Sequence, residues 1–278
     1  MELRNEDDGL IELGQSPPLR QYLSDLWARR EFAFHLPMAD LRTQNLDKAL
    51  GQLWHLLNPA FMIAVYYLVF KVLLDVTRGV ENYIAFLTIG ILLFTLMMRV
   101  VTDGLNCMLK DKGLILSVHF PRALMPVTTV VGQTLAFLPS AVVMLVAIVI
   151  TGSPPRWQWI FFIPIFGLIT VMNLGVAFIT ARAGHAVRDL SMVVQNVSRL
   201  LFYASGALFP VSRFVDDDFY LSLFNINPIY DVLEMSRWAL IGTELSVWTV
   251  VWAVGWTVFL VPVGLRFFMA AEHNYGRQ

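Results

Sequence analysis

Charge is scarce in this chain. Only 15% of its 278 residues are Asp, Glu, Lys or Arg, against roughly 25% in a soluble globular domain, and 57% are hydrophobic. The formal net charge of -1 excludes the basic face that drives nucleic-acid binding. A mean hydropathy of +0.62 excludes disorder. The single cysteine excludes a disulfide scaffold and any cysteine-ligated zinc or iron–sulfur centre. Neither G-x-x-x-x-G-K-[ST] nor G-x-G-x-x-G occurs, so no P-loop holds ATP in this chain.

What is present in quantity is long uncharged runs: Ala60 to Leu74, Tyr83 to Val101, Leu124 to Ile150, Ile160 to Ala181, Met192 to Phe209 and Val247 to Phe268. A span needs roughly 20 apolar residues, and the first run reaches that length by extending back toward Leu50. The sequence therefore predicts an all-α membrane protein of six spans. Pro126 and Pro139 are expected to kink the long third run. The first 18 residues are acidic, unlike a signal peptide. Arg4, Arg20, Arg29, Arg30, Arg42, Lys48, Lys110, Lys112, Arg122, Arg182, Arg188, Arg266 and Arg277 fall on one side of these spans, with Arg78, Arg156, Arg213 and Arg237 on the other. The positive-inside rule then places both termini in the cytoplasm.

The residues between spans are the unusual ones. After Ser16 and Pro17, a good helix start, Leu19, Tyr22, Leu23, Leu26 and Trp27 recur at helical spacing, which predicts an interfacial amphipathic helix with Arg29 and Arg30 at lipid phosphates. The first cytoplasmic loop carries too many apolar residues for a solvated linker and reads as a surface packed on its own bundle or on a partner. Cys107 in that loop reads as a small buried residue. Beyond the fifth span, Phe214, Phe219, Tyr220, Phe224, Tyr230 and Trp238 crowd an outer segment, and Asn227–Pro228 starts a helix too short and charged to span. Asp231 suits its first turn, and Glu234 can pair with Arg237 at i, i+3. Two short re-entrant helices are expected there.

No catalytic constellation emerges. The five histidines lie in cytoplasmic or juxtamembrane stretches, Ser205 has no base near it and reads as a small packing residue, and Asp216, Asp217 and Asp218 form one acidic cluster without a second. Arg99 and Arg199 stand out because charges within spans usually face a bundle interior, a partner or water. Arg99, a turn from the end of its span, could also snorkel. Arg199 is the better pore or anion contact. A proton-coupled carrier is disfavoured because no acidic residue is expected deep in a span.

Four stretches, LGQLWHLLNP at Leu50 to Pro59, SVHFPRALMP at Ser117 to Pro126, RDLSMVVQNVSRLLFYASGALFP at Arg188 to Pro210 and NPIYDVLEMSRWALIG at Asn227 to Gly242, resemble the permeases of type-2 ABC exporters that move polysaccharides. That family includes O-antigen, teichoic acid and galactan exporters. The likeness covers nearly all of residues 40 to 275 and is greatest to the mycobacterial galactan permeases. It implies a homodimer in the bacterial plasma membrane, two copies of a separate ATPase that binds the ATP and Mg, no cofactor in this chain, and a glycan carried on polyprenyl diphosphate. On this likeness residues 1–18 are an acidic tail without assigned role, 19–50 a cytoplasmic gate helix region, and 51–278 the transmembrane domain. Within that domain 108–122 is the coupling loop and 212–245 the outer gate. The implied site residues are Tyr22, Trp27, Arg29 and Arg30 at the lipid headgroup, and Arg99, Arg199 and Tyr203 along the channel. Leu114, Ile115, Val118, His119, Phe120 and Arg122 would meet the ATPase, and Phe219, Tyr220, Phe224, Tyr230, Glu234 and Arg237 the outer gate. The alternatives are a type-2 permease for a drug or small lipid, and a membrane polyprenyl-phosphate transferase, which lacks its expected paired acidic or histidine motifs.

Overall fold

The computed structural model describes residues 19–46, 54–73, 80–110, 120–187, 189–211 and 223–271. Among them every regular element is helical: α1 (Leu19–Ala28), α2 (Arg30–Leu46), α3 (Trp54–Tyr67, continued by a π-helical stretch Leu68–Leu73), α4 (Tyr83–Lys110), α5 (Leu124–Ile150), a 3-10 turn Trp157–Phe161 leading into α6 (Phe162–Ala186), α7 (Leu190–Ala204), α8 (Pro228–Ile241) and α9 (Val247–Met269). In hydrocarbon a helix satisfies its own backbone polar groups, which is why uncharged runs of this length fold so.

Four of these, α4, α5, Trp157–Ala186 and α9, are long and apolar enough to cross a membrane. The six expected spans are thus met by four full-length ones among the described residues. The apolar part of the first candidate, Ala60–Leu73, is shorter, and α7 has only 15 residues. α4 is the central helix: 72% of its apolar window is buried, against 22% in α5 and in α9, which therefore turn most of their surface outward. α6 packs between α4 and α9 at backbone contact, since a Cβ on Gly175 would collide with the backbone of Leu260. Small residues of this kind let membrane helices gain dispersion contact where no hydrophobic effect drives them together.

The expected fifth span stops early. α7 ends at Ala204, and the chain then runs irregularly, with Ser205, Ala207 and Leu208 fully buried and Gly206 at φ 64°, in the left-handed region that favours glycine. Backbone carbonyls without helical partners are tolerated at depth only against protein or water. Here side chains supply the donors: Tyr83 Oη donates to the Leu208 carbonyl at 2.8 Å, and Arg237 Nη2 to the Ala207 carbonyl at 2.9 Å.

α8 starts as its sequence predicts. The Asn227 side chain accepts the Ile229 amide at 3.1 Å, Pro228 is the first helical residue, and Gly242 ends the helix in the left-handed conformation at φ 75°. Trp159 Nε1 donates to the Leu240 carbonyl at 2.9 Å, tying the start of α6 to the helix end. Rather than presenting an apolar face to the outer leaflet, α8 is buried around nearly its whole circumference. At the opposite end of the bundle α1 and α2 meet at Arg29. Pro37 of α2 rests on Gly132 of α5, and Asp40 of α2 pairs with Lys110 of α4 at 2.8 Å.

Candidate functional site

A cavity of about 550 Å³ opens between α3, α4 and α7, lined by Tyr66, Phe94, Arg99, Asp103, Arg199 and Tyr203 among others. Arg99, Arg199 and Tyr203, singled out as channel residues from distant parts of the sequence, line this one space. Its wall is aromatic: Phe202 stands 4.9 Å from Phe94 and 5.5 Å from Tyr66, centroid to centroid. Guanidinium groups among aromatic rings suit an anionic head followed by sugar faces.

Arg99 lies on the cavity wall, and α4 continues beyond the expected end of the span to Lys110. Asp103, one turn beyond Arg99 on the same face, also lies within α4. Gln133 of α5 donates to its carboxylate. Charge balance within the wall is the physical reason an acid is tolerated beside the arginine.

α7 is a sparsely covered wall. Phe202 is its one buried residue among the described ones, while Gln195, Asn196 and Arg199 share its exposed surface with Met192, Val193, Leu200 and Tyr203. A polar and charged surface of this kind does not face lipid stably.

At the N-terminal helices the expected headgroup residues divide. Trp27 is 72% exposed, Arg30 lies over its ring at 5.5 Å, and Arg29 beside it is exposed at the break between α1 and α2. Tyr22 is different: it is 2% exposed, and its hydroxyl accepts the Ala123 amide at 3.2 Å. It anchors α1 to the start of α5 and is closed to a ligand, a correction to its expected headgroup role. Phe120, at the end of the expected coupling loop, packs on Phe32 of α2 at 5.7 Å, and the Arg122 carbonyl accepts the Met125 amide in the turn into α5. Leu114, Ile115, Val118 and His119 lie outside the described residues, as do Ser16, Pro17, Phe219, Tyr220 and Asp216 to Asp218. Cys107 is buried, as expected.

In the half of the bundle that holds α8, Phe224 packs on Tyr230 at 5.7 Å, and Glu234 pairs with Arg237 at 2.7 Å. Arg237, counted among the basic residues on the outer side of the spans, is not a solvent-exposed one. It is 0% exposed, held between Glu234, the Ala207 carbonyl and the Phe86 ring, 3.4 Å away, because the unwound segment needs its donors. Asp231 and Tyr230 are buried on the same helix, and desolvation drives the Tyr230 hydroxyl above its ordinary range. Tyr83, Asp103 and the burial of Asp231 were missed by sequence reasoning. A Ser-Gly pair inside an apolar run, as at Ser205–Gly206, was the available signal for the break. No group of three or more potential metal-ligating side chains occurs among the described residues.

Residues 38–241 match the model of the ABC-2 type transporter family. The chain is similar to an O-antigen export system permease protein RfbA of Myxococcus xanthus, with 28% identity covering 75% of this chain and 80% of that one. It is also similar to an RfbA of Klebsiella pneumoniae, with 25% identity over 85% and 90%, and to the polysialic acid transport protein KpsM of Escherichia coli, with 20% identity over 75% and 81%. The matched residues run from within α2 to the end of α8 and so include every wall of the cavity; this multi-pass membrane protein belongs to the ABC-2 type transporter family.

Proposed function

We propose that the chain is the permease subunit of an ATP-driven exporter that moves a polysaccharide on a polyprenyl diphosphate across the bacterial plasma membrane. The observation that carries this is the cavity between α3, α4 and α7, where two arginines, Arg99 and Arg199, sit among aromatic rings. Relatives named for O-antigen export and polysialic acid transport supply the polymer class. Galactan is the preferred glycan on sequence likeness, and O-antigen the alternative. A second copy of the chain covers the exposed face of α7 and closes the passage, since Gln195, Asn196 and Arg199 need protein or water opposite them.

The energy source is a separate ATPase, two copies to a dimer, docked at residues 108–122. Force applied there has a direct route to the N-terminal helices through the Phe120–Phe32 contact and the Ala123–Tyr22 hydrogen bond. Arg29, Arg30 and Trp27 at the break between α1 and α2 then present a cationic, aromatic surface to the lipid diphosphate at the cytoplasmic face. The glycan follows along rings that stack on sugar faces without demanding one sequence of sugars.

The test is purification with the ATPase, followed by ATP turnover in liposomes with and without a polyprenyl-diphosphate glycan. Turnover responds to the glycan in the wild type, and the response falls at least tenfold in Arg99→Gln plus Arg199→Gln while basal hydrolysis persists. An unaltered response in the double variant removes the cavity from the substrate path, and failure of any ATPase to associate removes the exporter assignment.

A further inference from the structure

Asp231 is 0% exposed, and neither carboxylate oxygen has a hydrogen-bond partner among the described residues. A buried carboxyl so placed either finds a cation or takes up a proton. The cation on the same helix is turned elsewhere: Arg237 gives Nη1 to Glu234 and Nη2 to the Ala207 carbonyl, and its Nε meets no acceptor among the described residues, the Asp231 oxygens included.

We propose that Asp231 is a proton-binding site whose occupancy depends on the position of α8. The carboxyl holds a proton while the helix is packed in the bundle and releases it to water when the helix lifts. The proton site stands on the burial of Asp231; its coupling to opening rests on the reading of α8 as part of an outer gate.

The surroundings favour the neutral form. On its own helix Asp231 is accompanied by Tyr230, Glu234 and Arg237, and the Glu234 charge opposes a second anion nearby. From α4 the titratable group is Tyr83, bonded to the Leu208 carbonyl. α6 and α9 bring no charged side chain to this half, their cations being Arg182, His185 and Arg266 at the other end. Arg156 stands at Gly242, the far end of α8. Burial first, and the Glu234 charge second, push the carboxyl up to about 8.

The sign follows from linkage. In water the group keeps its proton only up to about pH 4, so packing α8 takes up one proton between that value and about pH 8. External acid therefore favours the packed helix. Each unit of rising pH across the window weakens packing by up to tenfold, and the effect levels off above it.

Two measurements on the full chain in lipid vesicles test this. Infrared spectra at pH 6 should show the carbonyl stretch of a protonated carboxylic acid lacking strong hydrogen bonds, absent in Asp231→Asn and shifted in Asp231→Glu. Second, Ala239, fully buried on α8, is made the sole cysteine by Ala239→Cys with Cys107→Ala and exposed to an impermeant maleimide from outside. Between pH 6 and pH 8 its labelling should rise up to about 100-fold more than in the same chain carrying Asp231→Asn, a ratio that cancels the thiol's own titration. Absence of an assignable carbonyl band overturns the proton site, and identical labelling profiles overturn the coupling. Loss of glycan-stimulated ATP turnover with both signatures intact counts against the exporter assignment and leaves the proton site standing.

Discussion

Arg237→Met tests whether the buried guanidinium holds the unwound segment in place. The substitution keeps much of the side chain's reach and removes its charge and all its donors. The Ala207 carbonyl, now served at 2.9 Å, is left unsatisfied in the interior, a loss of about 1–3 kcal/mol. Glu234, whose side chain is 19% exposed, loses its partner; breaking a buried pair costs about 3–5 kcal/mol, and partial rehydration of Glu234 places this case at or below the lower end. The stack on Phe86 adds about 2 kcal/mol where water is excluded. Against these stands relief of the guanidinium's own desolvation, including an Nε that has no partner among the described residues. The net expectation is a destabilisation of about 3 kcal/mol, measured by denaturation in mixed micelles. Glu234→Gln added to Arg237→Met should restore about 1–2 kcal/mol, since it removes the stranded charge. A single variant within about 1 kcal/mol of wild type, or a double variant less stable than the single, would refute the reasoning.

Tyr83→Phe removes the hydroxyl that serves the Leu208 carbonyl and should lower stability in the same assay by about 1–2 kcal/mol. Gly175→Leu forces apart the backbones of α6 and α9 and should abolish monodisperse protein on size-exclusion chromatography. Gly167→Leu, on the same helix with nothing within 4 Å of its Cβ position, should be tolerated. Lys110→Gln breaks an ion pair whose side chains are 58% and 42% exposed; melting should shift by less than the equivalent of about 1 kcal/mol, with faster protease cleavage in α2 as the sign that the helix has loosened.

Length and hydropathy sufficed for α4, α5, α6 and α9, because a long uncharged run has one stable fate in a bilayer. Local chemistry sufficed for α8, whose Asn227 cap, Pro228 start, Gly242 stop and Glu234–Arg237 pair all depend on neighbours within a few residues. The end of α7 was legible only in the Ser205–Gly206 pair, for the complementary reason. Ser205 to Phe209 is small and apolar, so hydropathy continues through it, and what stops the helix is Tyr83 and Arg237, far away in sequence. The cavity was half legible: Arg99 and Arg199 announced themselves as charges in apolar surroundings, but only the packing of α3 and α7 on α4 shows that they line one space. Asp103 was hidden by an underestimate of α4, whose last turns carry Asp, Asn and Lys on an exposed face and bury Gly104, Leu105, Cys107 and Met108 on the other. Tyr22 followed the amphipathic pattern correctly and was misassigned in role, since periodicity says which face is apolar and not what it meets.

The burial of so many polar groups around α8 has a physical consequence for motion. A helix seated only by apolar contacts gains stability with every contact and has no reason to leave. α8 is seated otherwise: Arg237, Glu234 and Asp231 are withdrawn from water, and the carbonyls of Ala207 and Leu208 depend on donors from α8 and α4. Desolvation of these groups offsets much of what their pairing returns. In the proposed opening, lifting α8 would rehydrate Asp231, Glu234, Arg237 and the Ala207 carbonyl together, which would bring the packed and lifted states closer in free energy than apolar packing alone allows. Because Arg237 holds the Ala207 carbonyl directly, α8 and the segment after α7 are tied in one unit, and a displacement of α7 at the cavity reaches α8 without passing through the lipid-facing helices. Two discrete arrangements joined by such a tie are what a switching element requires. The same accounting explains why an arginine at full burial is compatible with a folded membrane protein: its charge stabilises an irregular backbone that no apolar side chain could satisfy.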